Sequence, residues 1–263
     1  MESNRLTKLF SSGRKNLLSV FYTAGYPRLN DTVRIGKALE QSGADFVEIG
    51  IPFSDPVADG PTIQASNKVA LDNGMNLHLL VEQVAELRKI SEIPIILMGY
   101  LNPVVQYGVE TFCADAAAAG VDGLILPDMP LEEFMTEYKP VFDKHSLHNT
   151  FLISPTTSEE RIRRIDDVST AFVYAVAASS TTGAKERFTD EQIAYFQRLK
   201  ALNMKNPVMI GFGIANNSSF SQACEYGAGA VVGSAFINVL RESKDIEQDI
   251  PRFVNSLKNG KAV

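Results

Sequence analysis

The sequence predicts an α/β fold: a single (β/α)8 TIM barrel spanning 1–263, with an additional N-terminal helix. Three observations support this. The chain has 263 residues, close to the ~250 typical of an eight-fold βα barrel. Eight short, apolar, β-rich runs alternate with segments of helical apolar spacing. Three glycine-bearing tetrapeptides mark places where a helix closes and a strand opens. Such alternation with short connections implies parallel strands and right-handed crossovers. A doubly wound open sheet would alternate in the same way, but no Gly-x-Gly-x-x-Gly follows the first strand, and eight units is the closing number of a barrel.

The elements follow in order. Met1 to Asn16 place Leu6, Leu9 and Phe10 at helical spacing among Arg5, Lys8, Arg14 and Lys15. This is an amphipathic helix suited to plug one end of the barrel, and it lacks the continuous apolar core of a signal peptide. Strands are expected at 18–22, 46–50, 93–98, 123–126, 150–153, 171–176, 207–210 and 230–232. Helices are expected at 31–41, 77–90, 110–119, 131–143, 159–165, 191–202 and 218–226, with a further helix starting at Ala235. The tetrapeptides are Ser42-Gly43-Ala44-Asp45, Ala119-Gly120-Val121-Asp122 and Tyr226-Gly227-Ala228-Gly229, whose first glycines suit left-handed helix C-caps.

Composition narrows the function. A net charge of -6 provides no field that would gather nucleic acid or an anionic membrane. No segment approaches the ~18 unbroken apolar residues of a membrane span. Cys113 and Cys224, far apart in helical segments, read as reduced residues of a cytoplasmic protein. His78, His145 and His148 lack metal-ligand spacing and fall in helical or helix-end stretches, so packing or surface roles are expected. No Gly-x-Ser-x-Gly elbow, Cys-x-x-Cys pair or Walker loop is present. Carboxylate acid–base chemistry on a phosphorylated substrate remains.

The chemistry centres on the stretch from Asp45 to Gly60. Alternation puts Phe46, Glu48 and Gly50 on one strand face and Val47 and Ile49 on the other. Glu48 therefore stands near the carboxyl end of the second strand, where barrels hold their active sites. A carboxylate there demands a partner or a role; pairing with a buried Arg or Lys is the structural alternative. Asp59 follows in the loop, where Asp-Gly can also be a plain turn. Gly211-Phe212-Gly213 follows the seventh strand and Gly233-Ser234 the eighth, the place where barrels often bind phosphate through backbone N–H groups and a helix N-terminus. Gly183, after the sixth strand, can add a further contact.

The segment from Glu48 to Pro61, with both acids in place, resembles the signature of the tryptophan synthase alpha subunit family, and the similarity extends over nearly the whole chain. Further matching segments begin at Phe21, Leu97 and Leu126 and include the two glycine clusters. The resemblance implies cleavage of indole-3-glycerol phosphate to indole and glyceraldehyde 3-phosphate, with the family's catalytic acids falling on Glu48 and Asp59. It implies an indole slot lined by Phe21, Ile63, Tyr100, Leu126, Tyr174 and Phe212. It assigns the phosphate to Gly183, Gly211, Gly213, Gly233 and Ser234. No cofactor is expected in this chain; pyridoxal phosphate would reside in a partner beta subunit, in a complex of two alpha and two beta chains. The rim segments 53–61 and 101–108, with Pro56, Val57, Pro103 and Val104 as exposed apolar groups, would dock that partner. The sequence departs from the family after the sixth strand, where Ala177, Ser180 and Thr181 replace a Ser, a Gly and a Val. The 178–189 loop that follows reads as a mobile cover whose hinge Ser180 would stiffen. The competing readings are another phosphate-binding barrel enzyme and an inactive interaction subunit. A Schiff-base aldolase would want a Lys at a strand end, and Lys205 precedes its strand.

Overall fold

A barrel strand is buried on both faces, so its inward residues fill the ring while its outward residues meet helices. The computed structural model, which describes residues 4–177 and 187–260, shows this arrangement. Its strands are β1 (Leu17–Thr23), β2 (Phe46–Gly50), β3 (Ile95–Met98), β4 (Gly123–Ile125), β5 (His148–Asn149), β6 (Leu152–Ile153), β7 (Val173–Val176), β8 (Val208–Gly211) and β9 (Gly229–Val232). All pair in parallel, in the order β5-β4-β3-β2-β1-β9-β8-β7-β6.

The two ends of that order are consecutive in the chain. The Thr150 N–H donates to the Leu124 carbonyl at 3.4 Å, and the Tyr174 N–H donates to the Phe151 carbonyl at 3.1 Å. The expected fifth strand is thus one run broken at Thr150 and Phe151, holding β4 on one side and β7 on the other, and through it the ring closes.

Two apolar shells result. Leu17, Phe46, Ile96, Ile125, Tyr174, Met209 and Val231 fill the ring. Leu18, Val20, Val47, Ile49, Leu97, Leu124, Ile210 and Val232 face the helices. Ser19 and Glu48 are polar yet fully buried.

The helix Arg5–Ser11 is the expected plug. Asn4 caps it by accepting from the Leu6 and Thr7 N–H groups. The Phe10 ring reaches into the inner shell, 5.9 Å from Phe46 and 5.3 Å from Phe172. Its Thr7 hydroxyl lies 2.8 Å from Nε2 of His148, whose Nδ1 lies 3.1 Å from the Thr170 hydroxyl. His148 therefore sits in a strand and not at a helix end as the sequence suggested. Burial pushes its pKa down to about 4 and leaves it neutral.

The tetrapeptide echo has a mechanical cause in two of its three copies. Gly43 and Gly120 take φ of 94° and 92°, the left-handed geometry expected of helix C-caps. Each is followed by an aspartate that clasps the preceding strand. The Asp45 carboxylate accepts the Leu18 N–H at 2.9 Å and the Asp45 N–H donates to the Leu18 carbonyl at 2.9 Å. Asp122 repeats this with Ile95, at 2.9 and 2.8 Å. Arg14 and Lys258 pair with Asp45, and Arg5 and Arg88 with Asp122. The third copy differs: Gly227 is extended, with φ -121°, and a Cβ there would lie 2.7 Å from the Val208 carbonyl. Close backbone approach, not left-handed geometry, calls for that glycine.

Two helices near the rim escape the sequence pattern. Pro61–Asp72 turns the buried polar side chains of Ser66 and Asn67 inward, which weakens its apolar stripe. Leu101–Tyr107 carries Pro103 in its first turn, where proline is tolerated. Its burial corrects the expected apolar rim: Val104 is fully buried, and Val105 is the exposed neighbour. Among the described residues no helix is long and apolar enough to cross a membrane. Cys113 and Cys224 are unpaired.

Candidate active site

Inward alternation on β2 places Glu48 two residues above Phe46 and one turn of the pleat below Gly50. The carboxyl group is completely buried. The Ser19 hydroxyl, from the neighbouring β1, donates to Oε1 at 3.0 Å, and Oε2 has no partner among the described residues. Burial pushes the Glu48 pKa up to about 8, against the smaller opposing effect of Ser19. The expected alternative, a buried ion pair, does not occur: no Lys or Arg among the described residues pairs with Glu48. A largely protonated carboxylic acid therefore stands inside the barrel at neutral pH.

Asp59 is placed by the loop after β2 and by the helix Pro61–Asp72. Its N–H donates to the Pro56 carbonyl at 3.0 Å, and its carbonyl accepts from Nε2 of Gln64 at 2.8 Å. The Thr23 and Ser66 hydroxyls, 2.7 Å apart, tie that helix to the carboxyl end of β1. Burial pushes the Asp59 pKa up to about 6, offset in part by hydrogen bonds from Tyr100 and Asn67. The Tyr100 hydroxyl also accepts the Ala58 N–H at 3.0 Å. At pH 7 Asp59 is mostly ionised while Glu48 is mostly protonated, a separation of acid and anion set by environment.

The remaining sequence-predicted residues gather at the same end. Phe21 stands opposite Glu48 in the β1–β2 register. Tyr174 projects into the inner shell, and the Glu48 charge is among the causes that hold its hydroxyl protonated, after burial. Tyr100 and Leu126 follow β3 and β4 and are buried; Ile63 is half-buried on the helix Pro61–Asp72. Phe212 is a non-glycine residue at φ 70°, flanked by Gly213 at 81°; its ring is partly exposed and 6.4 Å from Tyr174. Left-handed backbone at such a residue is costly and points to function. A Cβ on Gly211 would fall 2.2 Å from the Tyr174 hydroxyl, whereas nothing lies within 4 Å of one on Gly213. Gly233 caps the helix Ser234–Glu242, with Ser234 exposed in its first turn. Gly183 lies outside the described residues, as do Ser180 and Thr181. Sequence reasoning missed Ser19, Asn67 and the Thr23–Ser66 tie.

The family model for the tryptophan synthase alpha chain matches residues 6–262. The chain belongs to the tryptophan synthase alpha chain family. It is 49% identical over 255 residues to the alpha chain of Parabacteroides distasonis, covering 97% of this chain and 99% of that one. It is 52% identical over 240 residues to the alpha chain of Flavobacterium johnsoniae, covering 91% and 94%. Among solved structures, tryptophan synthase subunit alpha from Legionella pneumophila superposes with a TM-score of 0.89 at 38% identity, covering 98% of each chain. Tryptophan synthase from Mycobacterium tuberculosis superposes with a TM-score of 0.88 at 32% identity, covering 100% of each. Tryptophan synthase alpha chains are lyases that cleave indole-3-glycerol phosphate to indole and glyceraldehyde 3-phosphate in tryptophan biosynthesis. The family carries no cofactor of its own; pyridoxal phosphate belongs to the beta subunit.

Proposed function

We propose that Glu48 and Asp59 perform this cleavage as a proton-carrying acid and a fixed anion. The observation that carries the assignment is the pair of perturbed carboxyls, about 8 for Glu48 and about 6 for Asp59. Protonated Glu48 gives its proton to C3 of the indole ring, and positive charge develops on the ring nitrogen. Asp59 accepts the N1 hydrogen bond and stabilises that charge. The resulting Glu48 carboxylate takes the proton of the side-chain hydroxyl as the carbon–carbon bond breaks. The bond's electron pair returns to the ring, releasing indole and the aldehyde, and Glu48 is protonated again.

Phe21, Ile63, Tyr100, Leu126, Tyr174 and Phe212 form the indole slot in this reading. Gly211, Gly213, Gly233 and Ser234, with Gly183, hold the phosphate. The open space at Gly213 and the helix N-terminus behind Gly233 support this assignment, since unpaired first-turn N–H groups and the helix dipole favour an anion. The beta subunit would meet the chain at the rim, where Val57 is 89% exposed and Val105 46%, in a complex of two alpha and two beta chains. We place the protein, as one barrel domain, in the cytoplasm, where Cys113 and Cys224 stay reduced.

Steady-state cleavage by Glu48→Gln tests the assignment. The substitution removes the transferable proton with little change in volume, so activity is lost while the circular dichroism spectrum stays native. Turnover near the unsubstituted rate would eliminate Glu48 as the acid.

A further inference from the structure

Most inward positions near β2 are apolar or glycine, which makes Ser19 conspicuous. In the β1–β2 ladder Ser19 stands opposite Phe46, and Phe21 opposite Glu48. Ser19 thus approaches the Glu48 carboxyl from the neighbouring strand, one inward position earlier along the barrel. Both side chains are fully buried, and the hydroxyl donates to Oε1 at 3.0 Å while Oε2 has no partner among the described residues. A leucine or valine, the usual filling of such a layer, would leave both carboxyl oxygens without a partner among the described residues.

We propose that Ser19 is a positioning residue for the cleavage reaction: its hydroxyl anchors Oε1 of Glu48 and so reserves Oε2 as the oxygen that delivers and retrieves the proton. The inference rests on the assignment of Glu48 as the acid. Two consequences follow from the geometry. The anchored oxygen limits rotation of the carboxyl plane, so the proton-bearing oxygen is presented in one orientation. The hydrogen bond also stabilises the carboxylate formed after proton transfer, beside which no cation stands among the described residues. Of the titratable groups packed against Glu48, Tyr174 on β7 is held neutral by burial, and no Lys or Arg among the described residues pairs with the carboxyl.

The test is the pH dependence of kcat in Ser19→Ala and Ser19→Thr, with a 13C NMR titration of the Glu48 carboxyl. Loss of a hydrogen bond to a charged group lowers kcat about tenfold in Ser19→Ala, leaves KM within about twofold, and moves the basic limb of the profile to higher pH. Ser19→Thr, which keeps the hydroxyl, restores the original limb. If Ser19→Ala does not fold, Ser19→Cys, nearly isosteric and a weak donor, supplies the same comparison. An unshifted basic limb and an unshifted NMR titration in the hydroxyl-free variant overturn the inference, even if kcat falls, since that pattern is packing loss alone. Loss of activity in Glu48→Gln with no shift in Ser19→Ala overturns only the role of Ser19, whereas an active Glu48→Gln overturns the catalytic assignment itself.

Discussion

Two carboxyl groups of ordinary chemistry are set apart by their surroundings. Glu48 is enclosed by the inner apolar shell with one hydroxyl partner, whereas Asp59 sits in a half-open loop with Tyr100 and Asn67 beside it. The difference separates their proton affinities by enough for one to donate while the other stays charged. Asp59→Asn keeps the shape but loses the charge that the proposed mechanism sets against the ring nitrogen. Its kcat falls by on the order of 10² or more, and the decline of activity below pH about 6 that belongs to Asp59 disappears. Stopped-flow or steady-state cleavage across pH reads both effects; an unchanged rate would remove the anion from the mechanism. Both acids were singled out because the stretch from Glu48 to Pro61 resembles the family signature; strand alternation alone left Glu48 open to a buried ion pair and Asp59 to a plain turn. Ser19 and Asn67 were not singled out, since their meaning comes from contacts across 29 and 8 positions of chain. Ser19 did leave a trace, as a polar residue in phase with Leu17 and Phe21 in an otherwise apolar run.

At the scale of elements, the strand–helix alternation survives wherever the apolar pattern is plain. It was not extended to the C-terminal helix Ile246–Asn259, whose Ile246, Ile250, Val254 and Leu257 form a plain buried stripe, and elsewhere it fails where tertiary contacts replace apolar burial. The helix Pro61–Asp72 hides because Ser66 and Asn67 are buried for hydrogen bonding, and the fifth strand is split because Thr150 and Phe151 turn from one neighbour to the other. The N-terminal plug was visible in the spacing of Leu6, Leu9 and Phe10, but its polar lock on His148 was not. That lock predicts an acid-sensitive element. Burial lowers the folded pKa of His148 from 6.5 to about 4, so on acidification the unfolded chain takes up a proton that the folded chain refuses. Stability from this group is complete above pH about 6.5 and is lost as the pH falls toward 4, by at most about 3 kcal/mol. Urea unfolding of the native chain and of His148→Gln should show a steeper acid loss in the native chain between those limits. Parallel curves would show that His148 plays no such part.

Across the whole molecule the two ends of the barrel divide the work. The amino end is bound by the plug, by the Asp45 and Asp122 clasps on neighbouring strands and by the cations that pair with them. The carboxyl end carries the perturbed acids, the aromatic side chains of Phe21, Tyr100 and Phe212 and the glycine turns, as βα barrels generally arrange their stability and chemistry. That division, and a closed ring with a fifth strand at 150–153, were legible from the strand order; the break in that strand at Thr150 and Phe151 was not, because it depends on which neighbour each residue bonds to. The central claim is that a buried, protonated glutamic acid drives the cleavage, and the pH dependence of kcat/KM for indole-3-glycerol phosphate tests it most directly. Activity should rise through pH about 6 as Asp59 ionises and fall through pH about 8 as Glu48 gives up its proton. A profile still flat at pH 10, or one that declines with rising pH already between pH about 4 and 5, where an unperturbed glutamic acid loses its proton, would contradict it.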